Sequence, residues 1–97
     1  MPFLVGQEDI VGQEAKLEKR RKLEVEAAGG MYLKQTGHAG IPDRLVLLPV
    51  PMEHQELVAR YVRFEELKAD TGKLSAIQCR VIKWLQERGY QVDVVKP

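Results

Sequence analysis

The sequence predicts a small α/β domain in which a central mixed sheet of about four strands is flanked by helices. Short runs of aliphatic and β-branched residues alternate with segments of strong helix formers. Glycine and proline separate these runs. The 97 residues are enough for one small domain, which we place at residues 1–97. The predicted order is helix, strand, strand, short helix, strand, helix, strand, which is typical of a layered architecture.

A first helix is predicted over residues 13–28, QEAKLEKRRKLEVEAA, because this segment is rich in alanine, leucine, glutamate, lysine and arginine. Gly29 and Gly30 follow it as a C-terminal signal. The helix could begin as early as Gln7, and Gly12 would then be its weak point.

Three strands and a short helix are predicted in the middle of the chain. The first strand covers residues 31–35, MYLKQ, and the breaker-rich loop TGHAGIP follows it. The second covers residues 43–50, DRLVLLPV, where a valine and leucine run lies between prolines. Residues 53–62, EHQELVARYV, predict a short helix, and residues 62–69, VRFEELKA, predict the third strand.

The last third of the chain predicts a helix and a final strand. The helix lies in LSAIQCRVIKWLQERG, where Ser75 and Gln78 have the spacing of a capping box. Its apolar stripe consists of Ile77, Val81, Trp84 and Leu85, and we expect Trp84 to lie in the core. Residues 90–95, YQVDVV, alternate in polarity like a strand. This strand–helix–strand unit should form a parallel crossover.

The composition bounds the function only loosely. A net charge of +1 neither indicates nor excludes nucleic-acid binding. Cys79 is the one cysteine, so no internal disulfide can form, and we expect an intracellular setting. Residues 1–10 lack a basic region and a long apolar core, so we expect no signal peptide. No apolar run approaches the roughly 20 residues that span a membrane, so no membrane association is expected.

Two short stretches contain residues that could form a catalytic or metal-binding site. Asp43 follows Pro42 at the entrance to an apolar strand. In another strand, Glu66 and Lys68 share one face because side chains alternate, and we expect Leu67 to point into the opposite layer. If these strands pair, Asp43 and Glu66 can converge, and a divalent cation would relieve their repulsion. Oxygen ligands favour Mg²⁺ or Mn²⁺.

In such a site a metal-bound water can become the nucleophile, and Lys68 could orient it or stabilise charge developing on a phosphate. The simpler alternatives remain open. Glu66 and Lys68 could form an ordinary ion pair on a solvated face, and Asp43 could cap local backbone amides in a turn.

The ordered set GIPDRL, FEELK, GKLSAIQ, a helix, GY and VDVV, preceded by AAGGMYLK, resembles the VRR-NUC (virus-type replication–repair nuclease) domain of the PD-(D/E)xK nuclease superfamily. The resemblance covers roughly residues 13–95. It implies a small restriction-endonuclease-like fold and a Mg²⁺- or Mn²⁺-dependent deoxyribonuclease. The expected substrate is branched DNA, such as a four-way junction or a flap. The small size resembles phage-encoded members, which implies a homodimer working inside a host cell.

The resemblance also implies roles for the residues of the strand pair and the following helix. Asp43 and Glu66 would be metal ligands, and the backbone carbonyl of Leu67 would complete the metal shell. Lys68 would be the catalytic lysine. Gln78 matches the family's glutamine and would contact the site or the scissile phosphate.

Further residues are implied outside this group. Glu14 on the first helix matches an acidic residue that can help to hold the metal, and Glu18 takes this role if the register differs. The basic residues that could contact the DNA backbone are Lys34, Arg44 and Lys73.

Two features depart from the family pattern. Glu65 stands where members usually place an apolar residue, and its burial would be costly without a partner. The segment at residues 49–63 is longer than a tight hairpin, so it is a surface insertion, a dimerisation element or a DNA-groove element. Two other functions stay open: a non-catalytic nucleic-acid-binding or assembly module on the same fold, and a purely structural homodimer.

Overall fold

A computed structural model describes the backbone of residues 2–97 and the side chains of residues 12–97. The chain divides into two compact units, Met1–Leu48 and Pro49–Pro97. The expected absence of a signal peptide concerns residues 1–10, whose side chains lie outside this description.

Within the described residues, the elements follow the predicted order. They are α1 (Pro2–Ala27), β1 (Met31–Lys34), β2 (Arg44–Leu47), α2 (Met52–Ala59), β3 (Arg63–Leu67), α3 (Ala76–Glu87) and β4 (Gln91–Val95). The first helix runs through Gly12, and the strands are shorter than predicted. Asp43 therefore lies immediately before β2, and Lys68 lies immediately after β3. None of the helices in this part of the chain combines the length and apolar character needed to cross a bilayer.

The strands form one antiparallel pair and one parallel pair. β1 pairs with β2, with Met31 opposite Leu47. β3 pairs with β4 in parallel, as predicted for the strand–helix–strand unit. The mixed α/β class is confirmed, but the described strands form two two-stranded sheets, and one central sheet of about four strands is not shown. Pro49 and Pro51 follow β2 and lack the N–H groups that would lengthen its ladder.

The core of the first unit is small and depends on a glycine. Val25, Met31 and Leu47 are buried there. A Cβ atom at Gly30 would lie 2.6 Å from the carbonyl oxygen of Leu47 and 3.0 Å from Cγ1 of Val25. The end of α1 can therefore approach β2 only because residue 30 has no side chain. This contact anchors the strand that begins directly after Asp43.

The second unit buries little of the predicted helix stripe. Leu85 is buried, and the rings of Phe64 and Tyr90 meet edge to face with centroids 6.0 Å apart. Trp84 is 45% exposed and Ile77 is 68% exposed, so the expectation that Trp84 lies in the core is wrong. A two-stranded sheet, with strands about 4.8 Å apart, is narrower than a helix about 10 Å across, so it covers only part of the stripe.

The two faces of β3 differ in exposure. Glu66 and Lys68 are half-buried, whereas Glu65 and Leu67 are exposed. Glu65 stands where the family usually has an apolar residue, and burying its charge there would be costly. Because Glu65 is exposed, that cost does not arise. Leu67 is 71% exposed, so the expectation that its side chain enters an opposite layer is wrong.

Candidate functional site

Three of the predicted site residues meet in the second unit, and we call Glu66, Lys68 and Gln78 the Glu66 cluster. Nε2 of Gln78 donates a hydrogen bond to Oε1 of Glu66 at 2.7 Å. Nζ of Lys68 lies 3.7 Å from the same oxygen. The Lys68 and Glu66 side chains are 20% and 33% exposed, which places the ion pair at a partly shielded surface. The pairing expected from strand alternation is confirmed.

Local structure explains how the chain builds the Glu66 cluster. Glu66 lies on the half-buried face of β3, and Lys68 follows two residues later on the same face. The backbone N–H of Lys68 donates to the carbonyl of Val95 at 3.0 Å, so the ladder continues one residue beyond β3. This hydrogen bond fixes the backbone from which the Lys68 ammonium extends.

Gln78 is held by the capping box at the start of α3. Oγ of Ser75 accepts a hydrogen bond from the backbone N–H of Gln78 at 3.1 Å. The backbone N–H of Ser75 donates to Oε1 of Gln78 at 2.9 Å. The predicted capping box is confirmed. Both ends of the Gln78 amide are therefore engaged, one with the helix terminus and one with Glu66.

A second set of predicted residues lies in the first unit, around a pocket of about 330 Å³. We call it the Asp43 pocket. It is lined by Glu14, Leu17, Glu18, Tyr32, Asp43 and Arg44. The side chains of Glu14 and Asp43 are both exposed. The predicted metal ligand of the first helix and the predicted ligand before β2 therefore face the same pocket.

Arg44 organises the Asp43 pocket. Its Nη2 atom lies 2.7 Å from Oε1 of Glu18, and its Nη1 atom donates to the backbone carbonyl of Asp43 at 3.0 Å. The guanidinium carbon also lies 5.9 Å from the centre of the Tyr32 ring, within cation–π distance. The arrangement ties Asp43 to α1 through one side chain. A contact between Arg44 and DNA phosphate stays a prediction.

The same ion pair changes the titration of both partners. The hydrogen bond from Arg44, reinforced by its positive charge, lowers the pKa of Glu18 below its ordinary value. The hydrogen bond to Glu18 raises the pKa of Arg44. Glu18 is therefore an ionised partner of Arg44 at neutral pH.

The described residues offer only a small set of oxygen ligands for the metal that the sequence predicts. Among the described residues, no three or more histidine, cysteine, aspartate or glutamate side chains group closely enough to hold a metal ion. Mg²⁺ typically binds only one or two carboxylates and fills its shell with water and substrate phosphate oxygens, so a smaller set still fits. Asp43 belongs to the first unit and Glu66 to the second. Their predicted convergence stays a prediction.

The remaining predicted site residues lie at strand ends or in a loop. Lys34 is exposed at the end of β1, opposite Arg44 in the strand register. Lys73 is exposed in the loop before α3. Leu67 is the last residue of β3, so its carbonyl lies at the strand end beside Lys68. Both lysines are accessible to a polyanion.

Sequence reasoning missed two groups that the structure adds to these sites. Tyr32 lies beneath the Arg44 guanidinium, and its placement depends on the register of β1 against β2, which no local pattern reveals. The backbone N–H of Ser75 anchors the Gln78 amide. The serine-to-glutamine spacing was a usable signal for this contact, because a capping box has that spacing.

Comparisons with known proteins give no family assignment. No protein-family model matches the chain, and neither the curated proteins nor the solved structures contain a match. The resemblance to VRR-NUC domains therefore rests on the quoted residues alone.

Proposed function

We propose that the protein is a Mg²⁺- or Mn²⁺-dependent endonuclease that hydrolyses DNA phosphodiester bonds. The Glu66 cluster is the observation that supports this function most strongly. It joins a carboxylate, an ammonium and an amide in direct contact at the end of a strand. A carboxylate followed two residues later by lysine on one strand face is what the Glu-x-Lys part of the nuclease pattern requires.

The residues of the Glu66 cluster would have separate roles in phosphodiester hydrolysis. The Lys68 ammonium would stabilise negative charge that develops on the phosphate and orient the attacking water. Glu66 would supply a hard oxygen ligand. The cation, when bound, would act as a Lewis acid and generate the nucleophile from water. The partly shielded setting of Glu66 and Lys68 strengthens each electrostatic contact relative to bulk water.

We further propose that Asp43, with Glu14, contributes ligands to the same reaction, on a restriction-endonuclease-like sheet of about four strands. The supporting observation is that Arg44 fixes the backbone carbonyl of Asp43 at 3.0 Å, directly before β2. A side chain on a rigid support can be aimed at a metal, whereas one on a loose loop cannot.

A homodimer acting on branched DNA is part of the same proposal. Several large apolar side chains are exposed, among them Met52 and Tyr61 in or beside α2. Exposed apolar surface of this kind is typical of an interaction site, and a second copy related by a two-fold axis would cover it. Two sites related by such an axis would suit a symmetric four-way junction.

One observation favours a second candidate function, a non-catalytic nucleic-acid-binding or assembly module. Lys34 and Lys73 are both exposed, and each could contact phosphate without a bound cation.

The two functions are separated by incubating the protein with labelled duplex, flap and four-way-junction DNA in Mg²⁺, Mn²⁺ or EDTA. Asp43→Asn and Glu66→Gln keep the side-chain shape and remove the charge. We expect the wild type to cut branched DNA only with a divalent cation and both variants to lose activity. Equal cutting by all three proteins would mean a contaminating nuclease. Binding of branched DNA without cutting would establish the binding module.

A further inference from the structure

The contacts of Gln78 point to a role that is separate from substrate binding. We propose that Gln78 is a positioning residue, which holds the Glu66 carboxylate in one orientation and reserves its Oε2 atom for a divalent cation. This inference rests on the proposed function in one respect, since Glu66 must be a metal ligand.

The direction of the Gln78 amide is fixed from both sides. Its Oε1 accepts from the Ser75 backbone N–H at 2.9 Å, and its Nε2 donates to Glu66 at 2.7 Å. A flipped amide would place two donors together at Ser75 and two acceptors together at Glu66. The start of α3 therefore dictates that Glu66 receives a hydrogen-bond donor.

The two oxygens of Glu66 are used differently. Oε1 receives the Gln78 hydrogen bond and lies 3.7 Å from the Lys68 ammonium. Among the described residues, no hydrogen bond reaches Oε2. A cation competes poorly for an oxygen that accepts a hydrogen bond and lies near a positive charge, so Oε2 is the atom available for metal binding. Gln78 thereby sets which oxygen binds.

Helix capping alone does not account for glutamine at this position. Glutamate serves equally well in a capping box, because the box requires only an acceptor for the backbone N–H of Ser75. Of glutamine and ionised glutamate, only glutamine can accept that hydrogen bond and donate to Glu66 at the same time. The contact with Glu66 is what distinguishes glutamine from glutamate here.

The test measures Mn²⁺ affinity of the full chain by titration calorimetry, without DNA. Gln78→Leu removes the donor to Glu66, and we expect it to weaken Mn²⁺ binding about 10- to 100-fold, as loss of an orienting partner does at metal sites. Gln86→Leu is the matched control. It makes the same change two turns further along α3, at an exposed position away from Glu66, so Mn²⁺ affinity should equal that of the wild type.

A second variant keeps the test decisive if Gln78→Leu fails to fold. Gln78→Glu preserves the capping acceptor but places a carboxylate against Glu66. We expect a lower melting temperature than the wild type at pH 7, because two adjacent carboxylates repel each other. Wild-type stability of Gln78→Glu at pH 7 would overturn the positioning role.

The outcomes also separate this inference from the nuclease function. Weakened Mn²⁺ binding in Gln78→Leu, with no DNA cleavage by the wild type, would support the positioning role and remove the nuclease. Cleavage by the wild type, with equal Mn²⁺ affinity in the wild type and Gln78→Leu, would keep the nuclease and overturn the positioning role. Absence of Mn²⁺ binding by the wild type would overturn the positioning role, and the cleavage assay would then decide on the nuclease by itself.

Discussion

Replacing Gly30 with alanine tests the packing that anchors β2 and, with it, the backbone beside Asp43. The added Cβ would lie 2.6 Å from the carbonyl oxygen of Leu47, which is far inside van der Waals contact. That oxygen is a backbone atom, so a change of rotamer cannot relieve the clash, and the strand or the helix end must shift. Val25 closes the other side at 3.0 Å. Overpacking of this kind costs about 1–3 kcal/mol.

Thermal unfolding followed by circular dichroism measures the effect. In a domain of this size each kcal/mol lowers the melting temperature by about 4–8 °C, so Gly30→Ala should lower it by roughly 4–24 °C. Gly12→Ala is the matched control, because no atom of the described residues lies within 4 Å of the added atom inside α1. Alanine is preferred there by about 0.5–1 kcal/mol, so stability should be kept or raised. Wild-type stability of Gly30→Ala, or an equal loss in Gly12→Ala, would refute the packing.

Two further predictions concern charge. Because Arg44 lowers the pKa of Glu18, their pairing stabilises the first unit above the ordinary carboxyl range and is lost as the pH falls through the lowered value. Glu18→Gln should therefore show a shallower loss of urea midpoint on acidification, and an unchanged pH profile would contradict the pairing. Lys34→Ala and Lys73→Ala should each reduce the slope of log affinity for duplex DNA against log salt by about 0.9, and slopes equal to the wild type would exclude phosphate contact.

Local patterns predicted much of the second unit. Strand alternation placed Glu66 and Lys68 on one face, and their ion pair follows directly from a period of two. The spacing of Ser75 and Gln78 predicted the capping box, because that motif is contained within one helical turn. The ion pair and the capping box depend only on residues two or three apart, so the sequence specifies them.

Contacts between distant residues were not predictable in this way. The ion pair between Arg44 and Glu18 joins β2 to α1, which comes before β1 in the chain. Its formation depends on the register of β1 against β2. The solvent exposure of side chains was not predicted correctly either. Trp84 lies on an apolar stripe, but a sheet of two strands leaves it partly uncovered. A helical period identifies a face without determining how much of it other elements cover.

The most direct test of the proposed chemistry compares Lys68→Met with Lys73→Met in single-turnover cleavage of a four-way junction with Mn²⁺ and saturating protein. Removing a group that stabilises charge in the transition state should slow Lys68→Met about 10²- to 10³-fold while junction affinity is kept. Lys73→Met should retain the wild-type rate, because a backbone contact affects binding and is compensated at saturation. A Lys68→Met protein that cuts as fast as the wild type, or a wild type that does not cut at all, would contradict the assignment of the Glu66 cluster as a nuclease site.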